Sequence, residues 1–386
     1  MIIPPQRSAQ LRFPSRLIAI SAATFLILLF LWLSTSTHSH PFFLSSKLPP
    51  QPEPAQPESP TRETIPNTVH FVYILPDPTA EFSFQFSHFL SIFAANYYFR
   101  PTTVYLHTNA DATGPAVTRA RDGSSGKWTQ YIFTLFHLRI NTVPAPTHTT
   151  KGTEITHMEH RSDFVRVKAV CEFGGIYMDW DVHALRDIAP LRSAGFRAIA
   201  GRELGGQLNS GTFMAVKESK LIKWWMVYMN EMYNGGWATH SNGVLTVLGQ
   251  RMVREEREML ILDREAFAPG SWLKEGNEEL FGVHGDAESL GGLENGEGKL
   301  PGDEEGFFDR WHHPERFPGW AKDWSSTYLL HAFSPERSRH KVTGFEHVTP
   351  RYVLERRSNF ARAVYPVAKI MFEEGLIQLD DTHLGL

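Results

Sequence analysis

The chain has 386 residues, 42% hydrophobic and 21% charged, with 38 Lys and Arg against 42 Asp and Glu. That apolar fraction suits a chain with a sizeable core, and a net charge of −4 argues against a nucleic-acid binder, whose affinity rests on clustered cations. The single cysteine, Cys171, excludes an intrachain disulfide framework and any multi-thiolate zinc site.

The N-terminal segments read first. A charge-free apolar run from Leu17 to Leu33 (LIAISAATFLILLFLWL) would span roughly 26 Å as a helix, close to the thickness of a bilayer's hydrocarbon core. Arg7, Arg12 and Arg16 precede it and only Lys47 follows before Arg62, so the charge asymmetry puts the N-terminus in the cytoplasm and the rest in the lumen. Residues 1–16 are thus expected to be a cytoplasmic tail and 17–34 a transmembrane signal anchor, the rival being a cleaved signal peptide. Residues 35–64 are rich in Pro, Ser, Thr and Gln, too poor in apolar residues to fold, and read as an extended stem.

The folded part, 65–386, opens with Val69–Leu75, a continuous apolar run suited to a buried strand. Helical spacing follows over Phe82–Tyr98, then strands are expected at Thr103–His107 and Phe133–Ile140. Ser162–Phe173 is expected to be a helix with Phe164, Val167, Val170 and Cys171 on its buried stripe, stopped by Gly174-Gly175 and followed by a strand over Ile176–Trp180. This alternation implies an α/β fold with a mostly parallel central sheet flanked by helices. Trp224-Trp225 opens another helix and reads as core or as an acceptor flank. Residues 275–305, rich in Asp, Glu and Gly, read as a flexible acidic insertion. Arg356, Arg357 and Arg362 form a basic helix face, either solvated or facing the phosphates of a lipid.

Asp179 and Asp181 stand two apart at the end of the strand after Gly174-Gly175, so both side chains point to one face. Two carboxylates so placed repel unless a hard cation such as Mg²⁺ or Mn²⁺ lies between them. Trp180 between them should face the other way. Asp163 and Arg166 share a face of the preceding helix, at its start; Arg166 there needs an anion, either Asp163 or a ligand phosphate.

Ser162-Asp163-x-x-Arg166, then Gly174-Gly175-Ile176-Tyr177 and Asp179-x-Asp181, resembles the signature of glycosyltransferase family 32, whose members include α-mannosyl-, α-galactosyl- and α-N-acetylglucosaminyltransferases. Ile65–Tyr73 resembles that family's first strand and Leu208-Asn209-Ser210-Gly211 its sugar-site segment. The resemblance implies a GT-A type fold and a metal-dependent retaining enzyme that moves a hexose from a UDP- or GDP-sugar to a glycan or glycolipid. It further implies a Golgi enzyme, a single-pass type II membrane protein with its catalytic domain in the lumen. Asp179, Asp181 and His331 would hold Mn²⁺ (or Mg²⁺), and Asp163 and Arg166 would meet the donor. Gly174, Gly175, Tyr177 and Gly211 would line the donor site. Three positions carry a second reading: Tyr73 against the nucleotide base or in the core, Asn209 on sugar hydroxyls or in a turn, and His331 as a ligand or a packed histidine. Thr239–Gly243 departs from the family's usual segment there. A catalytically inactive relative and a glycoside hydrolase are the alternative readings.

Overall fold

The computed structural model describes residues 64–285, 300 and 314–385. The expected tail and anchor and nearly all of the stem lie outside them, and among the described residues no helix is long and apolar enough to cross a membrane.

Buried β-branched and aromatic runs build a seven-stranded sheet. In chain order its members and their helices are β1 (Thr68–Val72), α1 (Phe86–Phe99), β2 (Thr103–Thr108), α2 (Pro115–Asp122), α3 (Lys127–Phe133), β3 (Leu138–Thr142), α4 (Met158–Phe173) and β4 (Gly175–Met178). After a short β5 (Val182–Ala184) come β6 (Ala198–Arg202), β7 (Leu208–Ala215), α5 (Lys220–Met232), α6 (Val244–Met252) and β8 (Met259–Leu262). Then follow α7 (Lys274–Phe281), β9 (Leu329–His331) and α8 (Asn359–Glu373). The strand order is β3-β2-β1-β4-β7-β6-β8, and β5 pairs with β9 in a separate ribbon. Neighbours in the large sheet run parallel except around β7, which is antiparallel to both β4 and β6. The fold is therefore mixed α/β with a mostly parallel central sheet, as expected.

Alternation of side chains divides the core between the two faces of the sheet. Val69, Phe71, Ile176 and Met178 pack with α1, α3 and α8 on one face. Tyr177, Phe213 and Ala215 pack with α4, α5 and α6 on the other. The expected stripe of α4 is buried as read, Cys171 included, and burial pushes that thiol's pKa up.

Several boundaries move. The expected strand at Phe133–Ile140 begins inside a helix: α3 ends at Phe133, and β3 starts only at Leu138, where it finds a parallel partner in β2. Helix α4 starts four residues earlier than expected, at Met158, so Asp163 and Arg166 sit in its second and third turns and the macrodipole argument does not apply to them. The start of the acidic segment is ordered: α7 buries Leu280 and Phe281, and Asn277 bonds to the Ser271 and Phe333 carbonyls, while 286–299 and 301–313 lie outside the described residues. No basic helix face forms. Arg356 and Arg357 precede α8, Arg356 over the Tyr365 ring and Arg357 on the His284 carbonyl, and Arg362 is buried near Phe317 and Trp320. Trp225 is core, its indole N–H bonded to the His240 carbonyl.

Candidate active site

The α4–β4 junction fixes the start of the site. Gly174 and Gly175 both take positive φ, 67° and 115°, where a side chain is strained. A Cβ on Gly174 would lie 2.7 Å from the Lys217 amide nitrogen, and one on Gly175 would strike the Thr68 carbonyl. The pair thus lets the backbone turn tightly against β1 and does not itself line the cleft described below. The Gly174 carbonyl accepts from His70 Nε2, whose Nδ1 meets His107 Nε2 at 2.9 Å, and His107 Nδ1 meets the Asn141 amide. If that amide donates, both imidazoles carry their proton on Nε2 and the relay runs in one direction. Burial holds both neutral, His70 near pKa 4 and His107 near 3.

Asp179 and Asp181 lie in the turn after β4, not on the strand itself. The Asp179 N–H still pairs with the Gly211 carbonyl of β7 at 2.8 Å, and Val182 N–H closes the turn onto the Asp179 carbonyl. Trp180 faces the opposite way, as expected, donating to the Val72 carbonyl and packing on Phe71 and Phe84. The β5–β9 ribbon sets Val182 opposite His331, and Ala332 N–H donates to the Asp181 carbonyl. This brings a histidine 150 residues away in sequence beside the acids: ligand atoms of Asp179, Asp181 and His331 lie within 4.8 Å of one another.

Glycine at 211 makes that convergence possible. A Cβ there would lie 2.5 Å from His331 Cε1 and 2.8 Å from Asp179 Oδ2. Asn209 sets the ring: its carbonyl oxygen accepts the Gly211 and Thr212 amides, so its NH₂ faces His331 Nδ1 at 2.7 Å. His331 Nε2 then carries the proton directed at Asp181 Oδ1, 3.3 Å away. Burial works against charge on both partners, but their mutual attraction wins: Asp181 is held below the ordinary carboxylate range, helped by Arg337 and the Ser334 N–H, and His331 is raised. Two carboxylates, an imidazole and a cradle that a single methyl would fill suit a divalent cation, which would replace the Nε2 proton.

Both terminal nitrogens of Arg166 are bonded to protein, while its Nε has no partner among the described residues. The guanidinium pairs with Asp163, reaches Asp179 at 3.3 Å and donates to the Ser210 carbonyl at 2.8 Å, over the Tyr177 ring. Tyr177 donates its hydroxyl to Asp179. Asp163 accepts a second bond from His240 Nε2 at 2.8 Å; burial holds His240 neutral, near pKa 3. Asp163, Arg166 and Tyr177 thus form a bonded group around Asp179, and Asp163 and Arg166 also line the cleft described below. Tyr73 is turned away altogether: its ring packs on Phe82, Phe84 and Trp180, and its hydroxyl donates to the Ser83 carbonyl.

The acids and His331 form the floor of a cleft of about 520 Å³. Three of its groups escaped the sequence reading. Glu203, in the β6–β7 turn, is 7% exposed and accepts from the Asn242 amide at 2.6 Å; burial raises its pKa to about 7. Asn242 also receives the Ser210 hydroxyl, and with His240 it sits on a π-turn over Thr239–Gly243, the segment whose sequence departs from the family pattern. Arg337 lies exposed over the Trp237 ring, with no carboxylate partner among the described residues. Only the unusual 239–243 segment carried a signal for any of these.

Residues 111–196, which hold Asp163, Arg166 and both acids, match the family described as "Glycosyltransferase sugar-binding region containing DXD motif". That segment is similar to the DXD-containing glycosyltransferases, as its residues suggested. Over 233 residues the chain is 25% identical to Glucan organizing enzyme 1 of Cryptococcus neoformans var. grubii serotype A (strain H99), covering 57% of this chain and 58% of that one. The chain thus spans little more than half the length of that relative. Among solved structures it is similar to the glycosyltransferase GlyE of Streptococcus pneumoniae TIGR4, with 11% identity, TM-score 0.37, and 82% and 66% of the two chains covered. It is also similar to the galactosyltransferase LgtC, with 12% identity, TM-score 0.32, and 52% and 76% covered.

Proposed function

We propose that this chain is a metal-dependent, retaining glycosyltransferase of GT-A type, transferring a hexose from a UDP- or GDP-sugar to a glycan or glycolipid. The observation that carries the reading is the convergence of Asp179, Asp181 and His331 at the cleft floor, within a segment of the DXD family. Asp181, Asp179 and His331 would hold Mn²⁺ or Mg²⁺, which would neutralise charge growing on the leaving diphosphate. Arg337, a cleft guanidinium without a carboxylate partner among the described residues, is suited to meet the same diphosphate from the solvent side. Asp163 and His240 hold Arg166, and Arg166 with Tyr177 holds Asp179 in place. Glu203, protonated below about pH 7, would offer a hydrogen bond to a sugar hydroxyl.

In a front-side displacement the bond from the anomeric carbon to the phosphate oxygen breaks, the acceptor oxygen bonds to that carbon on the same face, and the acceptor proton passes to the departing phosphate oxygen. The arginines before Leu17 and the apolar run after them support anchoring as a type II membrane protein with this domain in the lumen, and the family resemblance is what points to the Golgi.

A thermal-shift titration of the protein with UDP, GDP and their hexose conjugates, with and without Mn²⁺, tests the reading. One nucleotide should raise the melting temperature by several degrees only with metal, and Asp181→Asn should abolish the rise. No metal-dependent rise with any of them would sink the proposal.

A further inference from the structure

Helices α5 and α6 lie side by side on one face of the sheet, and their outer surface takes no part in the cleft. Along α5 the residues Leu221, Ile222, Trp225 and Met229 are buried, and the opposite stripe holds Lys220, Lys223, Trp224, Val227, Tyr228 and Glu231. Val227 is 57% exposed and Val247, on the neighbouring α6, is 68% exposed; Tyr228 and Met232 are exposed as well. Trp224 is half-buried between two cations: Lys220 Nζ and the Arg251 guanidinium each lie 5.6 Å from its ring, and Tyr228 tilts against it at 5.9 Å. The acids close by are already matched, Glu255 to Lys220 at 2.6 Å and Glu231 to Lys151. Glu218 and Glu256, in the loops on either side, each adjoin a cation in sequence, Lys217 and Arg257. Lys223, Arg251 and Arg254 therefore leave this face positive, in a chain whose net charge is −4.

Resting on the membrane-anchoring part of the reading above, we propose that the α5–α6 face docks on the anionic headgroup layer of a bilayer. Aromatic rings with cations beside them, set among aliphatic side chains, suit the zone where lipid phosphates give way to the first acyl carbons. The rings and aliphatic groups enter that layer, and the ammonium and guanidinium groups stay level with the phosphates. Each such cation close to an anionic surface tightens association about fivefold. A chain held at a bilayer by residues 17–34 meets that surface at high effective concentration, so a face of this modest size is enough. A second copy of the chain is a poorer occupant. A two-fold interface sets a patch against itself and would oppose Lys223, Arg251 and Arg254 with the same cations.

Lipid photo-crosslinking of the full-length chain tests the face. The chain is reconstituted in nanodiscs carrying a phospholipid with a photoactivatable headgroup, in phosphatidylcholine alone or mixed with phosphatidylglycerol, and the labelled peptides are mapped by mass spectrometry. Label should fall on peptides spanning 217–232 and 244–254, several-fold more with phosphatidylglycerol, and the gain should vanish in molar salt. The peptide holding Phe136, 93% exposed and outside both helices, should stay unlabelled. Lys223→Glu combined with Arg254→Glu should cut the labelling about tenfold or more, and Val247→Glu alone several-fold. All three positions are exposed, so the melting point should not change. Overturning results are no label on α5 or α6, labelling no stronger than that of the Phe136 peptide, equal labelling in the two lipid mixtures, or labelling that the charge reversals leave unchanged. Protein–protein cross-links through Lys223 in place of lipid label would also overturn it and mark the face as a contact between copies. Label on 17–33 without label on the helices sinks the face and leaves the anchor standing; label on the helices without label on 17–33 does the reverse.

Discussion

Replacing Arg166 separates two roles that the sequence left open. If the guanidinium grips the donor diphosphate, Arg166→Met should leave the nucleotide-free protein intact and weaken nucleotide binding. The structure instead shows it paired with Asp163 and Asp179, with 9% of its side chain and 7% and 25% of theirs exposed. Removing it strands two carboxylates, one of them deeply buried, a change that costs about 3–5 kcal/mol. At roughly 2–4 °C per kcal/mol for a domain of this size, the nucleotide-free protein should melt about 6–20 °C lower. Arg166→Lys should recover little, since an ammonium cannot reach Asp163, Asp179 and the Ser210 carbonyl together. Pairing Arg166→Met with Asp163→Asn in a double-mutant cycle should return part of the loss, because the stranded charge is gone. Scanning fluorimetry without ligand is the assay. A melting point within about 2 °C of wild type, combined with weaker nucleotide binding, would refute the clamp and restore the diphosphate role.

Gly211→Ala places a methyl against His331 and Asp179 and should abolish Mn²⁺ binding by calorimetry while costing about 1–3 kcal/mol of stability; unchanged Mn²⁺ binding would remove these three residues as the metal site. His70, with its pKa depressed from 6.5 to about 4, stays neutral in the fold while the unfolded chain takes up a proton, so its contribution is complete above pH 6.5 and is lost as pH falls toward 4. Urea melts of wild type should therefore lose about 3 kcal/mol more over that window than those of His70→Gln, and parallel pH profiles would contradict the neutral relay. Glu203 has the opposite sign: its pKa is raised to about 7, so stability falls as pH climbs from about 4.5 to 7 and then levels. Glu203→Gln should thus be the more stable protein at pH 8 by up to about 3 kcal/mol and no more stable than wild type near pH 4.5; a constant difference across that range would show that Glu203 does not titrate there.

What could be read in the sequence was whatever rests on neighbours along the chain. The apolar runs at β1 and β2, the buried stripe of α4, the glycine stop and the outward turn of Trp180 all follow from local periodicity. Phe133–Ile140 misled because its residues suit either element, and only the partner strand β2 decides where β3 begins. Asp163 and Arg166 stand out in the sequence, yet their partners Asp179 and His240 come from other segments and cannot be read from it. Glu203 and Arg337 bear no local mark at all. Each becomes informative only when burial, or the lack of a partner, is known.

The division of labour in the cleft follows from how each residue is held. Asp179 is tied to β7 through Gly211, Asp181 to β9 through Ala332, and His331 to β7 through Asn209. The chemistry-bearing floor is thus pinned by strand pairing and tolerates almost no added atom. Trp237 lies between α5 and the π-turn, Trp272 just before α7, and Arg337 just beyond β9. None of these three is fixed by the sheet. A change in those connections would reshape the cleft rim without moving the acids, whereas a single methyl at Gly211 would alter the acids without touching the rim. The acid–histidine floor and the rim are therefore separable by mutation, since rigid strands set the first and loops the second.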